Sequence, residues 1–135
     1  MMQLIATTDY PVAAGATLTA QIDFNTNSSV IDFDTAKNEI IFKQPGIYKV
    51  TAYVVFTATA AGSNTIYGFS STTSADVPGF TSSFESTVAT QTATYSMGKD
   101  IRISPAVFGA YARMNLATLT AGTVENLVVS VEKIR

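Results

Sequence analysis

The 135-residue chain has no cysteine, no histidine and no tryptophan, and only 8 basic and 10 acidic side chains. Without cysteine there are no disulfides, thiol nucleophiles or thiolate metal sites. Without histidine the usual general base and the usual zinc, copper or haem ligand are missing. A net charge of −2 and a pI near 4.9 argue against a phosphate-backbone binder, which would carry a basic stripe. Long apolar runs are also absent; residues 52–56 fall far short of the roughly 20 a bilayer span requires. The N-terminal segment has neither the basic start nor the apolar centre of a signal peptide, although a mature chain from which one had been removed would read the same.

Charged residues make up 13% of the chain, about half the usual share, yet 47% of it is hydrophobic, which separates it from disordered sequences. Uncharged Thr and Ser must therefore cover much of the surface. Such a surface suits β structure, a dry subunit interface, or both. The length favours one domain, residues 1–135, able to bury about two thirds of the surface of its unfolded chain.

Thr, Val, Ile, Tyr and Phe dominate, and Gly, Pro and Asn recur between short apolar runs, which predicts an all-β fold. The clearest strand is 46–58, where Tyr48, Val50, Ala52, Val54, Phe56 and Ala58 alternate on one face. The opposite face starts polar at Lys49 and Thr51 and turns apolar at Tyr53 and Val55. An outer sheet face should stay wet, so this switch predicts a cover, either a loop of the same chain or a neighbouring subunit.

Other strands are expected at 18–24, with Leu18, Ala20, Ile22 and Phe24 on one side, at 101–103 with Ile101 and Ile103 together, and at 108–116 with Phe108, Ala110, Ala112, Met114 and Leu116 inward. Residues 124–134 carry a helical spacing (Val124, Leu127, Val128, Val131, Ile134) as well as an alternating one (Leu127, Val129, Val131), and β-branched enrichment decides for strand. Turns are predicted at Ala14-Gly15, 25–29, 36–38, 61–64 and Ala121-Gly122.

Residues 70–94 are rich in Ser and Thr and punctuated by Val77-Pro78-Gly79. They read either as edge strands and surface loops or as a contact loop, for which Ser71, Thr73, Asp76 and Thr81 are the candidate residues. Phe80 and Phe84 share a side if the segment is extended, and are expected in the core. Asp32 and Asp34 would face one way on a strand, near Glu39. They could hold calcium with backbone carbonyls, but the ligand set is thin and a solvated turn is the preferred reading, so no metal and no cofactor are expected. With four Glu and no acidic pair framed by aromatics, glycoside hydrolysis has no support. No histidine stands ready to activate a serine, and neither a Gly-x-Ser-x-Gly elbow nor a phosphate-binding glycine loop is present. The chain is expected not to be an enzyme.

One block is more specific. Phe33-Asp34, a polar turn, then Ile40-Ile41-Phe42-Lys43-Gln44-Pro45-Gly46-Ile47-Tyr48-Lys49-Val50 resembles the signature of the C1q/TNF-like jelly roll. Val12 to Leu18 with Ile22-Asp23-Phe24 is similar to that family's first strands, and Tyr95 to Ile103 to the strand pair flanking its Gly-Asp turn. Leu127 to Ile134 falls where its closing central strand would be. Ile40 stands where the family usually has Phe, Val50 and Ala52 replace aromatics, and Lys99 interrupts the Gly-Asp pair, departures that point toward divergent forms in spore coats and phage virions.

The resemblance implies a two-sheet antiparallel jelly-roll sandwich assembling as a homotrimer, with Tyr53, Val55, Val128 and Ser130 at the subunit interface. The function it implies is a non-enzymatic structural or adhesive module on the exterior of a phage virion: a capsid decoration, a head fibre or a receptor-binding tip. Its partners would be its own copies, other virion structural proteins and a host-surface glycan or protein, with no nucleic acid and no membrane. The alternative is a secreted or spore-surface C1q-like module that binds a glycan or a protein.

Overall fold

The computed structural model describes residues 1–6, 8–72, 75–104 and 112–135. Among them there is no helix; strands form two antiparallel sheets packed face to face. The first sheet has the order β3 (Gln21–Asn25), β1 (Met2–Ile5), β11 (Gly122–Lys133), β6 (Gly46–Ala58) and β9 (Thr92–Ile103), with β2 (Tyr10–Val12) pairing the start of β11. The second has β4 (Ile31–Asp34), β5 (Glu39–Phe42), β10 (Ala112–Thr118), β7 (Gly62–Ser70) and β8 (Ala75–Ser86).

Alternation builds the core. Tyr48, Val50, Ala52, Val54, Phe56 and Ala58 of β6 are all buried, as their spacing predicts, and meet Ile40, Phe42, Ile66, Phe80, Met114 and Leu116 from the facing sheet. Rings interlock edge to face: Phe42 with Tyr48 at 4.8 Å, and Phe56 with Tyr95 at 6.1 Å between centroids. Phe80 is fully buried and Phe84 packs against the core from the same side of β8.

The Pro45-Gly46-Ile47-Tyr48 block has a structural reason. Gly46 has φ +149°, where a side chain is strained, and a Cβ there would run into the backbone carbonyl of Arg135. That carbonyl accepts the Ile47 N–H at 2.9 Å, and the Tyr48 hydroxyl donates to the Gln44 carbonyl at 2.6 Å. The block thus ties the start of the longest strand to the end of the chain.

Several expectations shift. Residues 18–20 lie outside any strand: Leu18 donates its N–H to the Leu116 carbonyl at 2.8 Å and turns into the core. A bulge between β1 and β3 sets Ile22 opposite Leu4 but Phe24 opposite Gln3, so the two share no face, and both are exposed at the sheet edge. Residues 95–103 form part of one continuous strand, with Gly98 opposite Thr51 and Asp100 opposite Lys49, not two strands around a turn. The turn expected at 61–64 ends earlier: β7 begins at Gly62, and Asn64 is buried. In β11 the mixed periodicity of the sequence comes from a bulge between Val124 and Asn126, which leaves Val124 and Leu127 both buried. Phe108 and Ala110 lie outside the described residues. Ala112, Met114 and Leu116 of the same expected strand do alternate inward.

Candidate interaction surfaces

The register of the first sheet assembles its outer face. Tyr53 lies between Val128 on β11 and Ser96 on β9, and Val128 in turn faces Ile5 on β1. One row along, Thr51 lies between Ser130 and Gly98, with Gln3 beyond Ser130. Val55 lies between Asn126 and Thr94. The four residues expected at an interface, Tyr53, Val55, Val128 and Ser130, therefore form one patch on adjacent strands. Among the described residues no loop covers its centre: Tyr53 is 41% exposed, while Val55, Val128 and Ser130 are half-buried. Charge enters this face at both ends: Lys49 sits in register between Glu132 and Asp100 at one, and at the other the Thr57 hydroxyl donates to the Glu125 carboxylate at 2.7 Å. Phe24, opposite Gln3, extends the apolar surface at the other edge. Sequence alternation locates the outward residues of β6 but cannot supply Ile5 and Phe24, because the pairing β3-β1-β11-β6 is non-local.

The residues proposed as a contact loop do not sit on one loop. Asp76 and Thr81 belong to the edge strand β8, opposite Phe69 and Tyr67. Between them lie Pro78 and Gly79, the latter at φ +77°, and the Lys99 ammonium donates to the Pro78 carbonyl. A proline and a lysine at that strand's edge discourage further strand addition. Ser71 is in the turn after β7 and its hydroxyl donates to the Glu39 carboxylate. Thr73 lies outside the described residues.

Asp32 and Asp34 are held by cations and backbone N–H groups of the chain itself. Lys43 Nζ is 3.3 Å from Asp32 Oδ2, and Phe33 donates its N–H to Asp32 Oδ1 at 2.8 Å. Asp34 accepts the Ala36 and Lys37 N–H groups at 3.0 and 3.2 Å. Arg113 Nη1 lies 3.6 Å from Asp34 Oδ2 and 3.7 Å from Glu39 Oε1, the latter residue almost fully buried. A divalent ion here would have to displace Lys43 and Arg113. Among the described residues no three potential ligands cluster as a metal site. The sequence shows the acidic group but not its counter-ion, because Arg113 is far away in the chain and arrives through β10–β5 pairing.

Burial pushes the phenols of Tyr10, Tyr48 and Tyr95 above the ordinary tyrosine value. All three are tied into the fold, through Thr19, Gln44 and Asn64 respectively, so their shifts are consequences of packing.

This architecture is that of the C1q/TNF-like jelly roll. No family model and no curated protein matches the sequence. Among solved structures, Eiger TNF from S. frugiperda superposes with a TM-score of 0.77 at 8% identity, covering 99% of this chain and 91% of that one. The globular domain of zebrafish complement 1qA protein gives 0.72 at 10% identity over 99% and 96% of the two chains. The PRD1 vertex protein P5 gives 0.55 at 18% identity, again over 99% and 96%. At such identities the likeness establishes the fold.

Proposed function

We propose that the chain is a non-enzymatic structural or adhesive module that works as a homotrimer on the exterior of a phage particle, as a capsid decoration, head fibre or receptor-binding tip. The observation that carries this reading is the uncovered, charge-poor outer face around Tyr53, with Ile5, Val55 and Val128 beside it. An obligate interface is apolar at its centre and depleted in charge. The shared fold with a phage vertex protein supports the virion setting, and the likeness to TNF and C1q domains supports self-association. The absence of histidine and cysteine supports a role in binding rather than catalysis.

Light scattering on the full chain tests the trimer: a mass of three chains supports it, and a monomer throughout the micromolar range overturns it. Mass spectrometry of purified particles and of the cell-surface fraction tests the setting. The second reading, a secreted or spore-surface C1q-like module for a glycan or protein ligand, is favoured by the higher superposition score of the C1q domain, 0.72 against 0.55. Recovery from the cell-surface fraction alone would select it.

A further inference from the structure

The turn between β3 and β4 brings together the groups of one reaction. Asn27, Ser28 and Ser29 are exposed and lie outside the strands. The Asn27 main-chain carbonyl closes the turn by accepting the N–H groups of Val30 and Ile31, each at 3.2 Å. Its side-chain oxygen accepts twice as well: the Ser29 N–H donates to Asn27 Oδ1 at 3.1 Å and the Ser29 hydroxyl at 2.5 Å. Among the described residues no hydrogen bond engages Asn27 Nδ2 or the Ser28 main-chain N–H. The other asparagines differ. Asn25, Asn64, Asn115 and Asn126 lie in strands, and Asn38 uses its Oδ1 to accept the Ala20 N–H at 3.2 Å. Each of those five is followed by a bulkier residue than serine: Thr26, Thr65, Leu116, Leu127 and Glu39.

We propose that Asn27 is a self-modification site, which this turn converts through a cyclic imide to aspartate and isoaspartate. The Ser28 nitrogen gives its proton to solvent base and attacks Asn27 Cγ. An N–Cγ bond forms, negative charge gathers on Oδ1, and Nδ2 leaves as ammonia with a proton taken from water. Two donors already aimed at Oδ1 polarise that carbonyl and hold the charge that develops on it. Water, the one co-reactant, then opens the ring. Cleavage of the Ser28 N–Cγ bond leaves aspartate; cleavage of the bond to the original main-chain carbonyl carbon leaves isoaspartate, with a longer main chain. Either product sets a new carboxylate next to Thr26, whose hydroxyl accepts from the Met1 ammonium at 2.7 Å. The altered turn is the one that carries the chain from the first sheet to the second.

Peptide mapping by mass spectrometry tests this on the full chain, incubated folded in mildly alkaline buffer made with heavy-oxygen water. Asn27 should be the first asparagine to exchange its amide for a carboxyl and take up heavy oxygen. It should convert at least as fast in the folded chain as in the same chain unfolded in urea. Ser29→Ala removes the hydroxyl donor and keeps the N–H, so conversion in the fold should slow about fivefold, the worth of one ordinary hydrogen bond. In urea that variant should match wild type. Ser28→Pro has no N–H to attack with and suits the second position of the turn, so it should show no conversion. Protection of Asn27 by the fold, an unchanged folded rate in Ser29→Ala, or conversion in Ser28→Pro would each overturn the proposal.

Discussion

Asn64 on β7 and Tyr95 on β9 join the two sheets through the core: the Asn64 amide donates to the Tyr95 hydroxyl at 3.3 Å, and each residue is about 1% exposed. The other side of the same amide is occupied too. Asn64 Oδ1 accepts the Thr120 N–H at 3.0 Å and lies 3.1 Å from the Thr118 hydroxyl. Thr118 has one proton to give, and the Thr120 carbonyl competes for it, also at 3.1 Å. A single buried side chain thus fixes the spacing of the sheets and the path of the chain leaving β10.

Asn64→Leu removes this network while keeping the volume, and leaves the Tyr95 and Thr118 hydroxyls and the Thr120 N–H to find other partners in an apolar setting. The expected loss is about 3 kcal/mol of unfolding free energy, against about 1 kcal/mol for Tyr95→Phe, which removes only one bond. Urea denaturation at constant m-value measures both. Equal stability of Asn64→Leu and wild type would show the network to be incidental.

Alkaline pH should unfold the protein through its buried phenols. Tyr48, Tyr95 and Tyr10 have folded values above the unfolded one near about 10, so their contribution is complete below about pH 10 and is lost as the pH rises through the raised folded values. The urea midpoint should therefore fall as the pH rises beyond about 10. A Tyr48→Phe/Tyr95→Phe variant should show a shallower fall over the same range. An identical fall in the variant would assign the alkaline limb to other groups.

Two glycines with positive φ should respond differently to a methyl group. Gly15 (φ +76°) has open space around its Cβ position, so Gly15→Ala should cost only the backbone strain, about 1 kcal/mol. Gly46→Ala adds a collision with the Arg135 carbonyl and with Lys133 Cε, and should cost about 2 kcal/mol or more. Thermal unfolding of the two variants side by side distinguishes strain from collision, and equal shifts would contradict the packing described at Gly46.

Arg113→Met should destabilise the chain by about 1–2 kcal/mol, because Glu39 stays buried with Ser71 but without its cation. Adding Glu39→Gln should restore most of the loss. A double-mutant cycle by urea titration reads the coupling, and purely additive losses would mean that the pair does not interact.

Tyr53→Asp tests the interface. In a closed trimer it would bury one unpaired carboxylate per subunit, enough to shift the mass from trimer to monomer at micromolar concentration. A trimer of unchanged stability would move the interface elsewhere.

Local alternation made much of the fold legible. The inward face of β6 could be read directly because six side chains repeat without a break, and Pro45-Gly46 through its resemblance to a known signature, whose glycine has its reason in a backbone conformation that excludes a Cβ. What escaped reading was set by bulges and by non-local pairing. The skip at Val124–Asn126 gave β11 an apparent helical phase, and the one between β1 and β3 separated Ile22 from Phe24. Asn64 looked like a turn residue because asparagine usually is one; only its neighbours on β9 and β10 make it a core residue. Tyr53 and Val55 stood out as apolar where a wet face was due, but Arg113 beside Glu39 needed the β10–β5 pairing to be seen.

The tie between Ile47 and Arg135 has a practical consequence. Met2 pairs with Val131 on the strand that ends beside Ile47, so residues 1 and 135 both leave at the same end of the first sheet. A short linker joining them, with the chain reopened between Val88 and Ala89, would yield a circular permutant whose strand pairings are all retained. Its new ends would bring a free ammonium and a free carboxylate to a connection, residues 87–91, that itself holds no charged side chain.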